Sequence, residues 1–286
     1  MSRTTRNTLV ALLGGGLILA AFWFASRGTG PSGPPGAQPP DTTAVAAEFS
    51  RPGTVDSSFF EADVVDRDAI AALERMGAYL RTLTAFQVIG SSSREEVLPD
   101  GQKIQRDMTA DLLVRRPNRL RAEITNDLRH RFLFYDGESF TVYADRPNYY
   151  ATAPAPGTIA ELVDSLHSRF GIEVPLEDLF HWGTSRADLK AITTARVIGP
   201  SKVDGTSTDH YAYRQDGIDW QLWIQQGDHP LPRKLVITTL TDEARPQHTS
   251  VLSWNLAPSY SDAAFVFEPP RGANRIRIAE SSGGKQ

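Results

Sequence analysis

Gln102–Val114 reads QKIQRDMTADLLV, and its side chains alternate in character. Ile104, Met108, Ala110, Leu112 and Val114 fall on one face; Lys103, Gln105, Asp107, Thr109 and Asp111 fall on the other. A period of two marks a half-buried strand, whose successive side chains point to opposite faces of a sheet. Asn118–Asn126 repeats the pattern, with Leu120, Ala122 and Ile124 set against Arg119, Arg121, Glu123 and Thr125. Phe132 and Phe134, then Phe140 and Val142, continue it across Asp136-Gly137, a strong hairpin signal. Further strands are predicted at Ala191–Ile198, His210–Gln215, Asp219–Gln225, Arg233–Thr241 and Thr249–Leu256, with turns at Asp204-Gly205 and Asp216-Gly217.

Helical periodicity appears before and inside this run. In Asp66–Leu83, residues Ile70, Leu73, Met76, Gly77 and Leu80 share one face, and Asp66 is placed to cap it. In Thr158–Phe170, Ile159, Leu162, Val163 and Leu166 do the same, with Thr158 and Glu161 spaced as a capping box. Pro175–Trp182 reads as a second short helix in this middle insertion. Sequential hairpins imply antiparallel pairing, and one long sheet must curl. Helices over its open side cover the apolar face. The predicted fold is therefore α+β, mainly β: a curled antiparallel half-barrel of about 10–11 strands with helices plugging its concave face.

Composition excludes several functions. The formal net charge is −4 over 286 residues, and residues 1–62 balance four basic groups against four acidic ones. The folded remainder carries the whole −4, which gives no electrostatic drive toward nucleic acid. With no cysteine, disulfides, thiolate nucleophiles, cysteine zinc sites and a lipidated cysteine all drop out.

Arg3 and Arg6 precede the uncharged run Leu9–Ala25, LVALLGGGLILAAFWFA. As a helix it spans roughly 25 Å, just short of a hydrocarbon core of about 30 Å. Residues 1–26 are expected to be a signal peptide or a retained signal anchor that meets the inner membrane and exports the rest of the chain. Trp23 and Phe24 stand where a cleavage site wants small residues, and they suit the membrane interface of an anchor. Residues 27–62 form a Pro/Gly-rich linker expected to be disordered, 63–278 the half-barrel domain, and 279–286 a disordered tail. The expected location is the periplasm.

No GxSxG, HExxH, GxxxxGK[ST] or GxGxxG motif stands in a placeable context. The six histidines are scattered with no i, i+4 pair, so no metal site is expected and no cofactor is implied. Asp164, Ser165 and His167 share one amphipathic helix without an oxyanion element and read as solvated polar groups. The residues expected to line an apolar cavity are Leu120, Ile124, Phe132, Phe134, Phe140, Val142, Trp220, Leu222, Ile224, Leu235, Ile237 and Trp254. Sheets this wide often leave room for one ligand, although ordinary core explains the same pattern. Arg115, Arg116, Arg119, Arg121, Arg129 and Arg131 make a local basic run, either solvated or a docking surface for anionic groups.

Some segments resemble a known group. Asp219-Trp220-Gln221-Leu222-Trp223-Ile224, Pro230-Leu231-Pro232-Arg233-Lys234-Leu235 and Phe265-Val266-Phe267-Glu268-Pro269-Pro270-Arg271-Gly272-Ala273 are similar to the late hairpin and closing segment of the lipoprotein-carrier (LolA/LolB-like) superfamily of the bacterial periplasm. Ala69–Met76, Arg116-Pro117-Asn118-Arg119-Leu120 and Tyr135-Asp136-Gly137 resemble a family of predicted periplasmic proteins of unknown function within it. The resemblance covers about 63–276 and rests on turns and strands, not on a catalytic signature. It implies a half-barrel that holds acyl chains or lipids under a helical lid. The expected function is a non-enzymatic envelope protein binding a lipid or acylated ligand. The alternative is a membrane-anchored interaction protein with a filled core, docking an envelope protein partner.

Overall fold

A computed structural model describes residues 65–280. The apolar segment at 9–25, the linker and the tail beyond Glu280 lie outside the described residues.

The described residues open with α1 (Arg67–Thr82), capped as expected: Asp66 accepts a hydrogen bond from the backbone N–H of Asp68 at 2.8 Å. Six strands follow in succession: β1 (Ala85–Val97), β2 (Lys103–Arg115), β3 (Arg119–Asn126), β4 (His130–Tyr135), β5 (Ser139–Ala144) and β6 (Tyr149–Pro154). After α2 (Ile159–Phe170) and the single turn α3 (Asp178–His181) come β7 (Thr194–Val203), β8 (Thr206–Gln215), β9 (Ile218–Gln225), β10 (Pro232–Thr239) and β11 (Gln247–Asn255). A two-residue strand, β12 (Asn274–Arg275), closes the run.

All twelve strands form one sheet in the order β12-β6-β5-β4-β3-β2-β1-β11-β10-β9-β8-β7. It is antiparallel except where β12 adds parallel to β6, and it does not close on itself. Two meanders, β1–β6 and β7–β11, therefore meet at a central β1–β11 ladder running from Gln87↔Asn255 to Arg94↔His248. The predicted curled half-barrel is the fold observed, with β1, β6 and β12 added to the strands expected. At the β7 edge, Val65 bridges Ala195, and the Asp66 N–H donates to the Ala195 carbonyl at 2.9 Å.

One face of this sheet is the core. Phe86 and Val88 on β1, Leu112 and Val114 on β2, Leu120 on β3 and Tyr135 on β4 are at most 1% exposed. The helices bury their apolar stripes against it. Leu73, Met76 and Leu80 of α1 and Leu162 and Leu166 of α2 are at most 4% exposed, each burial contributing about 1.5–3 kcal/mol. α1 lies over the second meander, where the Tyr213 hydroxyl donates to the Ala69 carbonyl at 3.0 Å. α2 lies over the first, with the Ile159 N–H donating to the Pro117 carbonyl at 2.9 Å and Phe170 packed edge-on to Phe140 at 5.4 Å. Thr158 and Glu161 form the expected cap: the Thr158 side chain accepts from the Glu161 N–H at 3.3 Å and its hydroxyl donates to the Glu161 carboxylate at 2.9 Å. The segment carrying α3 sits between the helices over β1. A Cβ at Gly90 would lie 3.0 Å from Leu176, so glycine there makes room for that side chain.

The opposite face carries a strap. Tyr260 donates to the Val114 carbonyl at 2.8 Å, Arg115 pairs with Asp262 at 2.7 Å, and Phe265 is fully buried under the Arg115 guanidinium. Phe267 then reaches the outer sides of the strands beyond. Among the described residues no helix is long and apolar enough to cross a membrane.

Candidate functional site

Ten of the twelve expected cavity residues share the concave face. On the first meander these are Leu120, Ile124, Phe140 and Val142, placed by the pairs Leu120↔Tyr135 and Tyr135↔Phe140 and by Leu133↔Val142. On the second they are Trp220, Leu222, Ile224, Leu235 and Ile237, with Trp254 opposite Val88 at the central ladder. Leu120, Phe140, Trp220, Leu222, Ile224 and Leu235 are buried in one cluster with the helices; Val142, Ile237 and Trp254 pack at its margin. Ile124 is half-buried nearer the β3–β4 hairpin tip. The side chains of α1, α2 and α3 thus occupy the space enclosed by the sheet.

Phe132 and Phe134 are not there. Register pairs them with Glu123 and Arg121, which puts both on the outer face, and Leu133 and Tyr135 point inward in their place. Arg121 sits over both rings at 5.9 and 5.7 Å, and Phe267 of the strap packs on Phe134, Tyr143 and Tyr150 at 5.1–5.4 Å. These two phenylalanines are therefore the floor of the strap and not part of the concave face.

The two inward indoles differ. Trp254 donates to the Pro232 carbonyl at 2.8 Å. Trp220 stacks on Tyr213 at 4.2 Å, and its buried N–H has no partner among the described residues. Burial, with the charge of Tyr211 next, pushes the Tyr213 hydroxyl far above its usual range, so it stays a neutral donor to Ala69.

Open space lies at the junction of α1 with the segment after α3. A cleft of about 280 Å³ is lined by Leu73, Ala78, Trp182, Gly183, Ala187 and Leu189, with Glu74, Arg81 and Thr184 at its rim. None of the twelve expected residues lines it. Leu73 belongs to the core cluster, and Trp182 and Leu189 pack against that cluster, so the cleft reaches the edge of the concave core. Its far wall is fixed by a backbone contact: the Arg81 guanidinium donates to the Gly183 carbonyl, and a Cβ at Gly77 would lie 2.5 Å from Gly183 N. Sequence reasoning missed this cleft because its lining comes from a helix and an irregular loop that share no period.

The basic run does not form one patch. Arg115 binds Asp262 on the outer side, Arg121 pairs with Glu123 at 3.1 Å, and Arg116 lies over the buried Phe180 ring at 5.8 Å. Burial lowers the Arg116 pKa. On α2, Asp164 is taken up by Arg186. Among the described residues no group of three or more His, Asp or Glu side chains is arranged to hold a metal ion.

Residues 69–279 match the family described as predicted periplasmic protein (DUF2092). No curated protein matches the chain significantly. Among solved structures, the chain is similar to LprF from Mycobacterium bovis, at 14% identity over 74% of this chain and 100% of that one, TM-score 0.45. It is similar to the lipoprotein LppX of Mycobacterium tuberculosis, at 15% identity over 68% of this chain and 98% of that one, TM-score 0.44. It is also similar to an uncharacterized conserved protein from Thermus thermophilus, at 14% identity over 74% and 99%, TM-score 0.42.

Proposed function

We propose that this chain, which belongs to the DUF2092 family of predicted periplasmic proteins, is a non-enzymatic envelope protein that takes an apolar ligand, a lipid or acyl chain, between its helices and its concave face. The observation that carries the reading is the apolar cleft beside Trp182 and Leu189, which meets the core at Leu73. Ligand pockets commonly measure about 300–1,000 Å³, so this one holds only the leading part of such a ligand. The rest of the volume has to come from displacement of helical side chains already packed on the sheet. A concave wall of Leu222, Ile224 and Leu235, buried in one cluster with Met76 and Leu80 of α1, offers an acyl chain an apolar surface.

Native mass spectrometry of the exported protein, with lipid extraction alongside, tests this. The expected result is a stoichiometric acyl-containing adduct that is lost when Ala187→Phe fills the cleft. A bare protein mass, with no thermal shift on adding fatty acids or phospholipids, would overturn it.

The filled concave face favours a second reading, in which the half-barrel is a rigid body docking an envelope protein partner. Crosslinking in the periplasm that captures one protein stoichiometrically, together with a bare mass, is its expected signature.

A further inference from the structure

We propose that residues 172–186, the segment that seats α3 on the concave face, form a pH-sensitive latch: ionisation of the Glu177 carboxyl releases this segment and opens the cleft beside Trp182 and Gly183. Its use as a gate for ligand rests on the reading given above; the latch itself is tested without ligand.

Glu177 opens the α3 turn, with its carbonyl accepting from the Phe180 N–H at 2.9 Å. Its carboxyl oxygen Oε2 is buried and has no hydrogen-bond partner among the described residues. The charges that act on it are further carboxylates: Asp178 on the same turn, Glu173 earlier in the segment, and Asp164 from α2. Among the described residues, the Val174 N–H is the contact that favours its charged form.

The cations facing this region have other partners. Arg186 binds Asp164 and donates to the Ala160 carbonyl at 3.2 Å. Arg81 of α1 donates to Gly183, Arg94 of β1 faces Glu96 and Glu173, and Arg116 lies over Phe180 with its buried Nε without a hydrogen-bond partner among the described residues. On the α1 side, Glu74 at the cleft rim adds another negative charge. His181 stands 4.0 Å from Asp164, and its buried Nδ1 has no partner among the described residues. The segment is also strained where it is anchored, since Leu176 holds φ of 60°, a left-handed conformation unusual for leucine. A seat built on strain and on a half-buried carboxyl with one orphaned oxygen is more stable while that carboxyl is neutral.

Burial, then the charges of Asp178, Glu173 and Asp164, raise Glu177 from 4.5 to about 7; burial raises Asp178 to about 6. A raised carboxyl favours the seated form below the pKa of the released group and loses that advantage as pH climbs through the seated one. The latch is thus tight below about pH 4.5 and slackens toward pH 7. His181 runs the other way: burial lowers its pKa, so acid weakens its seat. Its contribution remains when Glu177 is replaced.

The test is hydrogen exchange on the full chain without ligand, corrected for intrinsic rates, between about pH 5 and pH 8. Amides of 172–186 in the native protein are expected to lose about 10- to 100-fold in protection while β2 and β3 stay constant. Glu177→Gln is expected to cut that loss to the smaller part that Asp178 carries, and Glu177→Gln with Asp178→Asn to abolish it. A flat native profile, or an equal loss in E177Q, would overturn the latch. If E177Q does not fold, the native profile of 172–186 against β2 and β3 decides the matter. Absence of a ligand adduct in mass spectrometry leaves this result untouched.

Discussion

Gly77→Ala adds one methyl group where α1 crosses the segment after α3, and the structure fixes the sign of its effect. The new Cβ would lie 2.5 Å from Gly183 N, 2.7 Å from Gly183 Cα and 3.2 Å from the Trp182 carbonyl carbon. Carbon contacts are comfortable at about 3.5–4.0 Å, so the loop must withdraw by about 1 Å. All three obstructing atoms are backbone, and no side-chain rotation relieves them. Overpacking of this kind costs about 1–3 kcal/mol, and rigid obstruction puts it at the upper end. Alanine in a helix interior gains about 1 kcal/mol over glycine, which leaves a net loss of about 2 kcal/mol. For a domain of this size that lowers Tm by about 4–8 °C. Thermal melting by circular dichroism measures it, with Trp182 emission expected to shift red as the loop lifts. A Tm raised by about 2–4 °C, the result helix propensity alone gives, would refute the close-packing argument.

Phe267→Ala removes the cover over Phe134, Tyr143 and Tyr150 and is expected to cost about 1–3 kcal/mol in urea unfolding, less than a fully buried phenylalanine because the ring is half-exposed. Hydrogen exchange is expected to rise in β4–β6 and not in β8–β10; a uniform rise would contradict a local strap. Thr158→Ala is expected to cost about 1 kcal/mol through loss of the α2 cap, with Thr158→Ser restoring most of it; equal losses in both variants would assign the effect to packing of the methyl group.

Much of the architecture was legible because local signals agreed with the tertiary result. α1 and α2 run almost to their predicted bounds, since Asp66 and Thr158 cap the helices that their apolar periods describe. The turns at Asp204-Gly205 and Asp216-Gly217 place positive φ where the hairpins need it. β1 was not legible. Its inward side begins with Phe86 and Val88 but continues with Gly90 and Ser92, one kept small for Leu176 and the other hydrogen-bonded to Ser250 at 2.8 Å. An alternation whose apolar half is replaced by tertiary partners has no period left to detect.

The misplacement of Phe132 and Phe134 has a related cause. The strand HRFLFY is apolar on both sides, and its phase relative to Phe140 depends on the hairpin register across Asp136-Gly137. That register pairs Tyr135 with Phe140 and so sets Phe134 opposite Thr141. The residue that makes an outward phenylalanine tolerable, Phe267, is remote in sequence, so no local window contains the reason. The cleft was invisible for the same kind of reason, being a product of how one helix and one loop meet.

The sheet order has a consequence for how the chain is assembled and divided. Each meander pairs neighbouring strands, so each is able to form early from short loops. The β1–β11 ladder instead joins residues at least 154 positions apart, from Arg94 with His248 outward, and so carries the larger loop-closure cost. No ladder joins β1–β6 to β7–β11 except this one. A cut in the exposed stretch around Ser185 therefore severs no strand pairing. The two fragments would meet along this ladder, with the short β6–β12 pairing, the Val65–Ala195 bridge, α1 and the strap joining at its flanks, a natural basis for a split protein whose reassembly reports on those contacts together.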